Sequence, residues 1–351
     1  MAKFIKINLV RRRIMQGLMR NVGQSRTDGV LEDPSTIKNV LICRPNDRLG
    51  NLLLITPLIQ EIQSTFPNAK IDLFVRGGVA PLVFEGYDCV DRILMLPKRP
   101  FSHLPTYFGK WFSLRKKNYD LAINVESNSS SGRLSTLLTH ARFKSLGETE
   151  LEASVYPDAV HIAKSPIYHL RHYLEQLGLP KNNNPIPPLD LKLSDAEYAH
   201  GKELLQNLTG NSRKTICIFT FATGNKCYPK DWWANCYAKL KEQFPDCNIV
   251  EILPMHNESQ IDFAAPSFYS KDVREMASFL SQVDVFIGAD SGIVHLSASS
   301  GAPTVGLFWV TNINKYAPYG RGSFGVNTND TPLEQWISRV GEVLGSARPT
   351  A

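Results

Sequence analysis

Residues 283–298 contain the sequence pattern that most directly suggests chemistry. An apolar run is followed by Asp290, Ser291 and Gly292, and His295 comes about one helical turn later. The first N–H groups of a helix are unpaired and lie at the positive end of its dipole. Small residues let a phosphate approach this backbone, and Ser291 and His295 add side-chain donors. The pattern fits a phosphate-binding turn, and it fits as well an ordinary strand–turn–helix in which Asp290 is the cap.

A second polar segment follows the apolar strand predicted at Thr215–Phe221. It contains Thr223, a Gly-Asn pair and Lys226. The lysine could neutralise the negative charge of a departing diphosphate. A Gly-Asn turn with a solvated lysine explains the same residues without a ligand.

A third polar segment lies between a strand predicted at 38–44 and an apolar helix predicted at 51–66. It could bind a ligand at the start of the helix. The alternative is a simple turn in which Asn46 or Asp47 caps the helix. The candidate functional residues of this third segment are Arg44, Asp47, Arg48, Gly50 and Asn51.

Several classes of site lack their expected residues. No G-x-G-x-x-G follows the first strand, which argues against a nicotinamide dehydrogenase. The sequence has no Asp-x-Asp pair, and none of the six cysteines has C-x-x-C spacing. We therefore expect neither a metal site nor a disulfide framework, and a reduced, cytosolic compartment is the simplest interpretation.

The elements that must position these residues are strands alternating with helices. This alternation predicts an α/β fold with parallel sheets. The chain has 351 residues, enough for two domains. We place the boundary at a Pro- and Asn-rich stretch and expect domains at 37–185 and 186–351, each Rossmann-like, facing each other across a cleft. Ser194 with Glu197 predicts a capping box, and Thr331 with Pro332 at the first helical position predicts the start of the last helix.

The positive charge of the chain is concentrated at its beginning. Residues 3–26 contain seven Lys or Arg and no acid, whereas the whole chain has a net charge of +6. Apolar residues recur at helical spacing among them. We expect residues 1–36 to form a basic amphipathic leader and a linker, which either binds an anionic membrane surface or packs on the body. The nearly neutral body does not indicate a nucleic-acid binder.

Together, the three polar segments resemble glycosyltransferase family 9, whose best-known members are the lipopolysaccharide heptosyltransferases. Leu49-Gly50-Asn51 with Thr56-Pro57 is similar to the family's Leu-Gly-Asp and Thr-Pro pattern. Lys226 to Pro229 is similar to its Lys-x-Trp-Pro element. Residues 290–298 are similar to its Asp-Thr-Gly-x-x-His-Leu-x-Ala box.

The resemblance implies a GT-B fold with an N-terminal acceptor domain and a C-terminal donor domain. It implies an inverting, metal-independent transfer of a sugar, heptose from ADP-heptose by default, to a lipopolysaccharide-type or other lipid-linked glycan. The protein would be cytoplasmic and peripheral on the inner face of the membrane. The donor-binding residues implied are Thr223, Lys226, Glu258, Asp290, Ser291, Gly292 and His295, and the acceptor-side residues are Arg44, Arg48 and Gly50.

The sequence departs from the family pattern at the expected catalytic base. The family has an Asp where this chain has Asn51, and an amide cannot accept the proton of the acceptor hydroxyl. Asp47, four residues earlier, is the replacement we favour. Asn51 would otherwise only orient the hydroxyl, with Glu126 or water taking the proton. Two further alternatives are a nucleotide-sugar-binding protein without transferase activity and a GT-B nucleotide-sugar epimerase.

Overall fold

The computed structural model describes residues 23–25, 29–98, 104–148 and 151–346. Contacts divide the chain into two compact units. Unit 1 comprises the described residues up to Asp47, Pro57–Pro81 and Tyr87–Pro187. Unit 2 comprises Arg48–Thr56, Leu82–Gly86 and the described residues from Pro188 onward. Two short segments from the first half of the sequence therefore belong to the unit formed mainly by the second half.

Unit 1 contains a five-stranded parallel sheet with the order β3-β2-β1-β4-β5. Leu41, Cys43 and Phe74, from its central strands, are buried in a cluster with Leu114 and Tyr119. The strands are Asn39–Arg44 (β1), Lys70–Arg76 (β2), Val90–Leu96 (β3), Asn118–Asn124 (β4) and His140–Ser145 (β5).

Unit 2 contains a six-stranded parallel sheet with the order β11-β10-β9-β6-β7-β8. Its strands β6, β9 and β10 are buried along their whole length, as expected for central strands covered by helices on both faces. The strands are Thr215–Phe219 (β6), Asn248–Ile252 (β7), Ser267–Phe268 (β8), Val285–Ala289 (β9), Thr304–Phe308 (β10) and Phe324–Asn327 (β11).

The helices follow the predicted alternation. Those before Pro188 are Leu49–Leu53 (α1), Thr56–Thr65 (α2), Ala80–Phe84 (α3), Leu104–Ser113 (α4), Ser130–Leu138 (α5) and Ser165–Gln176 (α6). Those after it are Asp195–Thr209 (α7), Lys230–Gln243 (α8), Val273–Leu280 (α9), Gly292–Ser299 (α10), Ile313–Tyr316 (α11) and Leu333–Gly345 (α12).

Local sequence signals account for several helix ends, and others differ from the prediction. The Ser194–Glu197 capping box is present at the start of α7. The single helix predicted at 51–66 is instead two helices, because the chain turns at Leu54 and Ile55. Pro332 is the cap residue of α12 and not its first helical residue. Helix α5 ends at Leu138, and His140 begins strand β5.

Both sheets have a point where the strand order reverses. In unit 1 it lies between β1 and β4, and in unit 2 between β6 and β9. In open α/β sheets, ligands bind beyond the carboxyl ends of the strands at such switch points. The loops that begin at Pro45, Val125, Thr220 and Asp290 are therefore the places where the fold positions functional side chains.

Two further findings concern membrane-spanning helices and the state of the cysteines. Within the described part of the chain, no helix combines the length and apolar character needed to cross a bilayer. The six cysteines are all free thiols. The basic residues of the leader, up to Arg26, lie outside the described residues, so the amphipathic helix stays a prediction.

Candidate functional site

The switch point of unit 2 carries an ion pair between two of the predicted donor residues. Lys226 Nζ lies 2.6 Å from Oδ2 of Asp290, whose side chain is only 7% exposed. Thr311 donates its hydroxyl to the same carboxylate oxygen over 2.7 Å. Asp290 is thus not the cap of the following helix, which was one of the two interpretations of this segment. Its carboxylate is engaged with the lysine and the threonine, and Ser291 is the N-cap residue of α10.

The Ser291 hydroxyl is buried and unpaired. Its Oγ makes no hydrogen bond with any described residue, and the serine does not cap α10 through its side chain. A buried hydroxyl without a partner costs about 1–3 kcal/mol, so such groups are rare in folded proteins. Ser291 directly precedes the first N–H groups of α10, which are unpaired in any α-helix. This combination is suited to binding an anion at the beginning of α10.

The loop that carries Lys226 is fixed by an aromatic cluster. The Trp309 indole N–H donates to the main-chain oxygen of Lys226 over 3.2 Å. Tyr228 stacks on Trp309 with a centroid distance of 5.0 Å and contacts Trp232 at 4.2 Å. The lysine is therefore held at its backbone by Trp309 and at its ammonium group by Asp290.

Trp309 and Thr311 were not among the sequence candidates. Both directly follow β10, the strand that pairs with β9. The polar residues after the apolar strand at 304–308 were the signal that could have identified them, since neighbouring parallel strands end at the same edge of a sheet.

A glycine contact joins the first and the last of the three polar segments within unit 2. A Cβ atom placed on Gly50 would lie 2.9 Å from Cδ2 of His295 and 3.3 Å from Cα of Gly292. Only a residue without a side chain permits this approach. Gly50 lies in the short helix α1, where the next residue, Asn51, is half-buried. His295 is 6% exposed in α10.

Two other predicted donor residues lie at the surface. Thr223 and Glu258 are exposed. Thr223 precedes the 3-10 turn Gly224–Lys226 and does not cap it through its side chain. Among the described residues, no hydrogen bond or ion pair joins Thr223 or Glu258 to Lys226 or Asp290.

The switch point of unit 1 also carries an ion pair. Arg44 ends β1, is 4% exposed, and pairs through Nη1 with Glu126, which follows β4. One oxygen of Glu126 is thereby occupied. Arg48, another predicted acceptor-side residue, is exposed and is the N-cap residue of α1, without a side-chain cap bond. Asn46 and Asp47 therefore do not cap this helix.

Asp47, the candidate base, is half-buried in unit 1 next to Gly77. A Cβ atom on Gly77, where φ is +77°, would lie 2.9 Å from Cβ of Asp47. The Asp47 carboxylate makes no hydrogen bond or ion pair with any described residue. The Glu126 carboxylate, in contrast, accepts a hydrogen bond from Arg44.

The sequence model of glycosyltransferase family 9 (heptosyltransferase) matches residues 110–335, which is more than half of the chain. The chain belongs to glycosyltransferase family 9. The matched region includes Lys226 and the segment from Asp290 to His295. It begins after Asp47, Gly50 and Asn51, so the part of the chain that contains the candidate base lies outside it.

Characterised relatives and solved structures agree with this family 9 assignment. A lipopolysaccharide core heptosyltransferase of Haemophilus influenzae is 22% identical over 293 residues, covering 77% of this chain and 79% of the relative. Lipopolysaccharide heptosyltransferase 1 of Escherichia coli K12 is 23% identical over 313 residues, covering 80% and 91%.

The fold of this glycosyltransferase is that of known family members. A family 9 glycosyltransferase from Veillonella parvula superposes with a TM-score of 0.69 at 17% identity, covering 89% of this chain and 98% of the other. The E. coli heptosyltransferase WaaC, solved with ADP, gives a TM-score of 0.63 at 18% identity, covering 87% and 98%. The two parallel-sheet α/β units are thus those of the GT-B heptosyltransferases, as the sequence predicts.

The described part of this glycosyltransferase offers no group of three or more His, Cys, Asp or Glu side chains that could hold a metal ion. The charged groups at the unit 2 site are Lys226 and Asp290, next to the N–H groups that begin α10. Lys226 and these N–H groups can bind an anionic leaving group.

Proposed function

We propose that this family 9 glycosyltransferase transfers heptose from ADP-heptose to a lipopolysaccharide-type or other lipid-linked glycan, with inversion at the anomeric carbon and without a metal ion. The curated relatives named above support the reaction, since they are described as lipopolysaccharide heptosyltransferases. A further structure of E. coli WaaC contains ADP-2-deoxy-2-fluoro heptose, which supports the choice of donor.

The observation that carries this proposal is the arrangement around Asp290 and Ser291. Asp290 holds the ammonium group of Lys226 at 2.6 Å, and the unpaired Ser291 hydroxyl lies next to it at the start of α10. A diphosphate placed there would receive a charge-assisted bond from Lys226 and hydrogen bonds from Ser291 and the first N–H groups of α10. The unpaired serine would gain the partner that it lacks.

The same groups act on the leaving diphosphate during transfer. An acceptor hydroxyl attacks the anomeric carbon, and the bond between this carbon and the diphosphate oxygen breaks. Negative charge then increases on the diphosphate, where Lys226 and the start of α10 stabilise it. His295 contributes a further donor from the first turns of α10, and Gly50 keeps its ring in place. Glu258 binds the donor ribose, and Thr223 lies on the donor side of the site.

Asp47 is the proposed general base. It accepts the proton of the acceptor hydroxyl, and Asn51 orients this hydroxyl through its amide. The unengaged carboxylate of Asp47 supports this role over Glu126, which is paired with Arg44. Arg44, Arg48 and Gly50 serve the acceptor side, and residues 37–185 and 186–351 are the acceptor- and donor-binding halves.

A thermal-shift screen with ADP-, GDP- and UDP-linked sugars tests the donor assignment. A ligand that binds only the folded chain raises its melting temperature. At a ligand concentration of about a hundred times Kd, the free energy of unfolding increases by about 2.7 kcal/mol. We expect the ADP-linked sugar to give the largest rise in melting temperature. With the same sugar, the rise should be smaller for the Ser291→Ala variant than for the wild-type chain. No rise with any of the three would contradict the proposal. A rise without transfer to any acceptor would favour a nucleotide-sugar-binding protein, the alternative that Asn51 supports.

We also propose that the protein works in the cytoplasm at the inner face of the cytoplasmic membrane. The seven cationic residues between positions 3 and 26 support this location, because each Lys or Arg near an anionic surface contributes about 1 kcal/mol to binding. A lipid-linked acceptor would be presented at the same surface.

A further inference from the structure

Unit 2 contains a buried carboxylate that the proposed mechanism does not use. Glu251, in β7, is completely buried. One of its oxygens accepts a hydrogen bond from the Thr220 hydroxyl over 2.6 Å, and the other accepts one from Ser259 over 2.7 Å. Among the described residues no cation pairs with Glu251, and burial raises the pKa of its carboxyl group. Burying a carboxylate with only neutral partners is costly, so its presence in a strand calls for a role that an apolar residue could not fill.

Each hydroxyl that binds Glu251 also binds the loop after β7. Thr220 accepts the N–H of Gln260 over 3.0 Å. Ser259 accepts the N–H groups of Ile261 and Phe263 over 3.1 and 3.0 Å. Because both lone pairs of Ser259 are taken by N–H groups, its proton must be donated to Glu251. The carboxylate thus determines the orientation of the hydroxyls that fix residues 259–263.

This loop has a backbone that needs external support. Asn257, Asp262 and Phe263 have φ angles of 53°, 51° and 59°. They are three of the four non-glycine residues with positive φ in the described chain. A left-handed conformation is unfavourable for an aromatic residue, and it persists only where surrounding contacts enforce it. At Phe263 such a contact is the N–H bond to Ser259, and hence to Glu251.

We propose that Glu251 is a positioning residue for the donor site. Through Thr220 it holds the start of the loop after β6, which carries Thr223 and Lys226. Through Ser259 it holds the loop after β7, which carries Glu258. Glu251 thereby fixes the two loops relative to each other. The inference rests on the proposed function in one respect, that these loops bind the donor nucleotide.

Two substitutions of similar size separate positioning from simple packing. Glu251→Leu keeps the volume but removes both acceptors. Glu251→Gln keeps an oxygen for Ser259 and offers an N–H to the free lone pair of Thr220, so it should restore the network. Affinity is measured by calorimetry with whichever of ADP, GDP and UDP raises the melting temperature of the wild-type chain most. We expect the Kd of Glu251→Leu to rise about tenfold or more, and that of Glu251→Gln to stay within about threefold.

Val340→Ala is the matched control, since Val340 is fully buried in the core of unit 2 and has no polar side-chain group. It should lower the melting temperature and leave the Kd unchanged. Hydrogen exchange gives a readout that needs no nucleotide. In Glu251→Leu the amides of Gln260, Ile261 and Phe263 should exchange at least about tenfold faster, and in Val340→Ala they should not change relative to the rest of unit 2.

The outcomes are distinct. If the wild-type chain binds a nucleotide and Glu251→Leu, folded by circular dichroism, binds it as tightly with unchanged exchange in the loop, this inference is overturned and the proposed function stands. If Glu251→Gln is as defective as Glu251→Leu, the hydrogen-bond network is not what positions the loops. If the wild-type chain binds none of the three nucleotides, the proposed function fails, and the donor role of Glu251 fails with it.

Discussion

At Asp290, a single carboxylate oxygen accepts hydrogen bonds from the Lys226 ammonium group and the Thr311 hydroxyl. This contact orders the lysine side chain, so binding a diphosphate needs little further ordering of it. The Ser291 hydroxyl is in the opposite condition, buried and without a partner. Both features are expected of a site prepared for an anion.

Gly50→Ala tests the contact between the first and the last polar segment. The added methyl group would lie 2.9 Å from the His295 ring, so the ring must move. We expect the free energy of unfolding to decrease by about 1–3 kcal/mol, as for other overpacking substitutions. We also expect transfer activity to fall at temperatures where the variant is fully folded. Gly345→Ala, where a methyl group meets no atom within 4 Å, is the control. Full activity of the folded Gly50→Ala variant would show that the position of His295 does not matter.

Asp47→Ala tests the choice of base. General-base catalysis contributes about 10²- to 10⁴-fold, so the rate of transfer at saturating substrates should fall by about that factor. Donor affinity, measured separately by calorimetry, should not change. Asn51→Asp, which restores the carboxylate of the family pattern, should recover part of the rate in the Asp47→Ala background. Unchanged turnover of Asp47→Ala would assign the proton to another group, with Glu126→Gln as the next variant to measure.

Most helices and strands of both units were predictable from the sequence, because the alternation of apolar and turn-forming segments is regular. Strand β10 and the capping box of α7 are examples in which local chemistry is sufficient. The division of the 51–66 helix at Leu54 has a local cause that the prediction overlooked, because Pro57 has no N–H to donate to the Leu53 oxygen, which accepts the Thr56 hydroxyl instead. The role of Thr311 was hidden for a different reason. Its partner Asp290 is 21 residues away and becomes a neighbour only when β9 and β10 pair.

Glu197 links two helices of unit 2 in a way that depends on pH. Arg274 of α9 donates two hydrogen bonds to this carboxylate of α7, at 2.5 and 2.8 Å. This interaction lowers the pKa of Glu197 from its ordinary value of 4.5 to about 2. A carboxyl group whose pKa is lowered on folding stabilises the protein above its unfolded pKa, and this stabilisation is lost as the pH falls through its folded pKa.

We therefore expect the free energy of unfolding of the wild-type chain to decrease as the pH falls from about 4.5 toward 2. Glu197→Gln should be less stable at neutral pH and should show a smaller decrease over this range. Glu203→Gln, at a side chain that is 71% exposed, is the matched control and should follow the wild-type chain. Chemical denaturation at a series of pH values measures this. Parallel curves for wild type and Glu197→Gln would show that Glu197 is not the titrating group.

At the scale of the whole molecule, positive charge is concentrated at the beginning of the sequence. A chain that begins at Gly23 tests the role of this basic leader. Gly23 and Ser25 must stay, because Gly23 accepts a hydrogen bond from Arg133 and Ser25 donates its hydroxyl to Glu148. We expect the chain without residues 1–22 to keep its melting temperature and to lose flotation with anionic vesicles.

Binding of the full chain to vesicles should depend on the charge of the lipid and on the arginines of the leader. The full chain should float with anionic vesicles at low salt and much less with neutral phosphatidylcholine vesicles, because salt and loss of lipid charge both weaken the attraction. A full-length chain with Arg11, Arg12 and Arg13 changed to Gln should bind less tightly. Equal flotation of the full and shortened chains would remove the leader from the account of membrane binding.

The most direct test of the central claim is transfer itself. The wild-type chain and Lys226→Ala are incubated with ADP-heptose and a lipopolysaccharide core acceptor that lacks heptose. Released ADP and the mass of the acceptor are then measured together. We predict that the wild-type chain releases one ADP for each heptose added and that Lys226→Ala is slower by about 10²- to 10³-fold. Binding of ADP-heptose without release of ADP or gain of mass, or equal rates for the two chains, would contradict a transferase whose donor site is formed by Lys226, Asp290 and the start of α10.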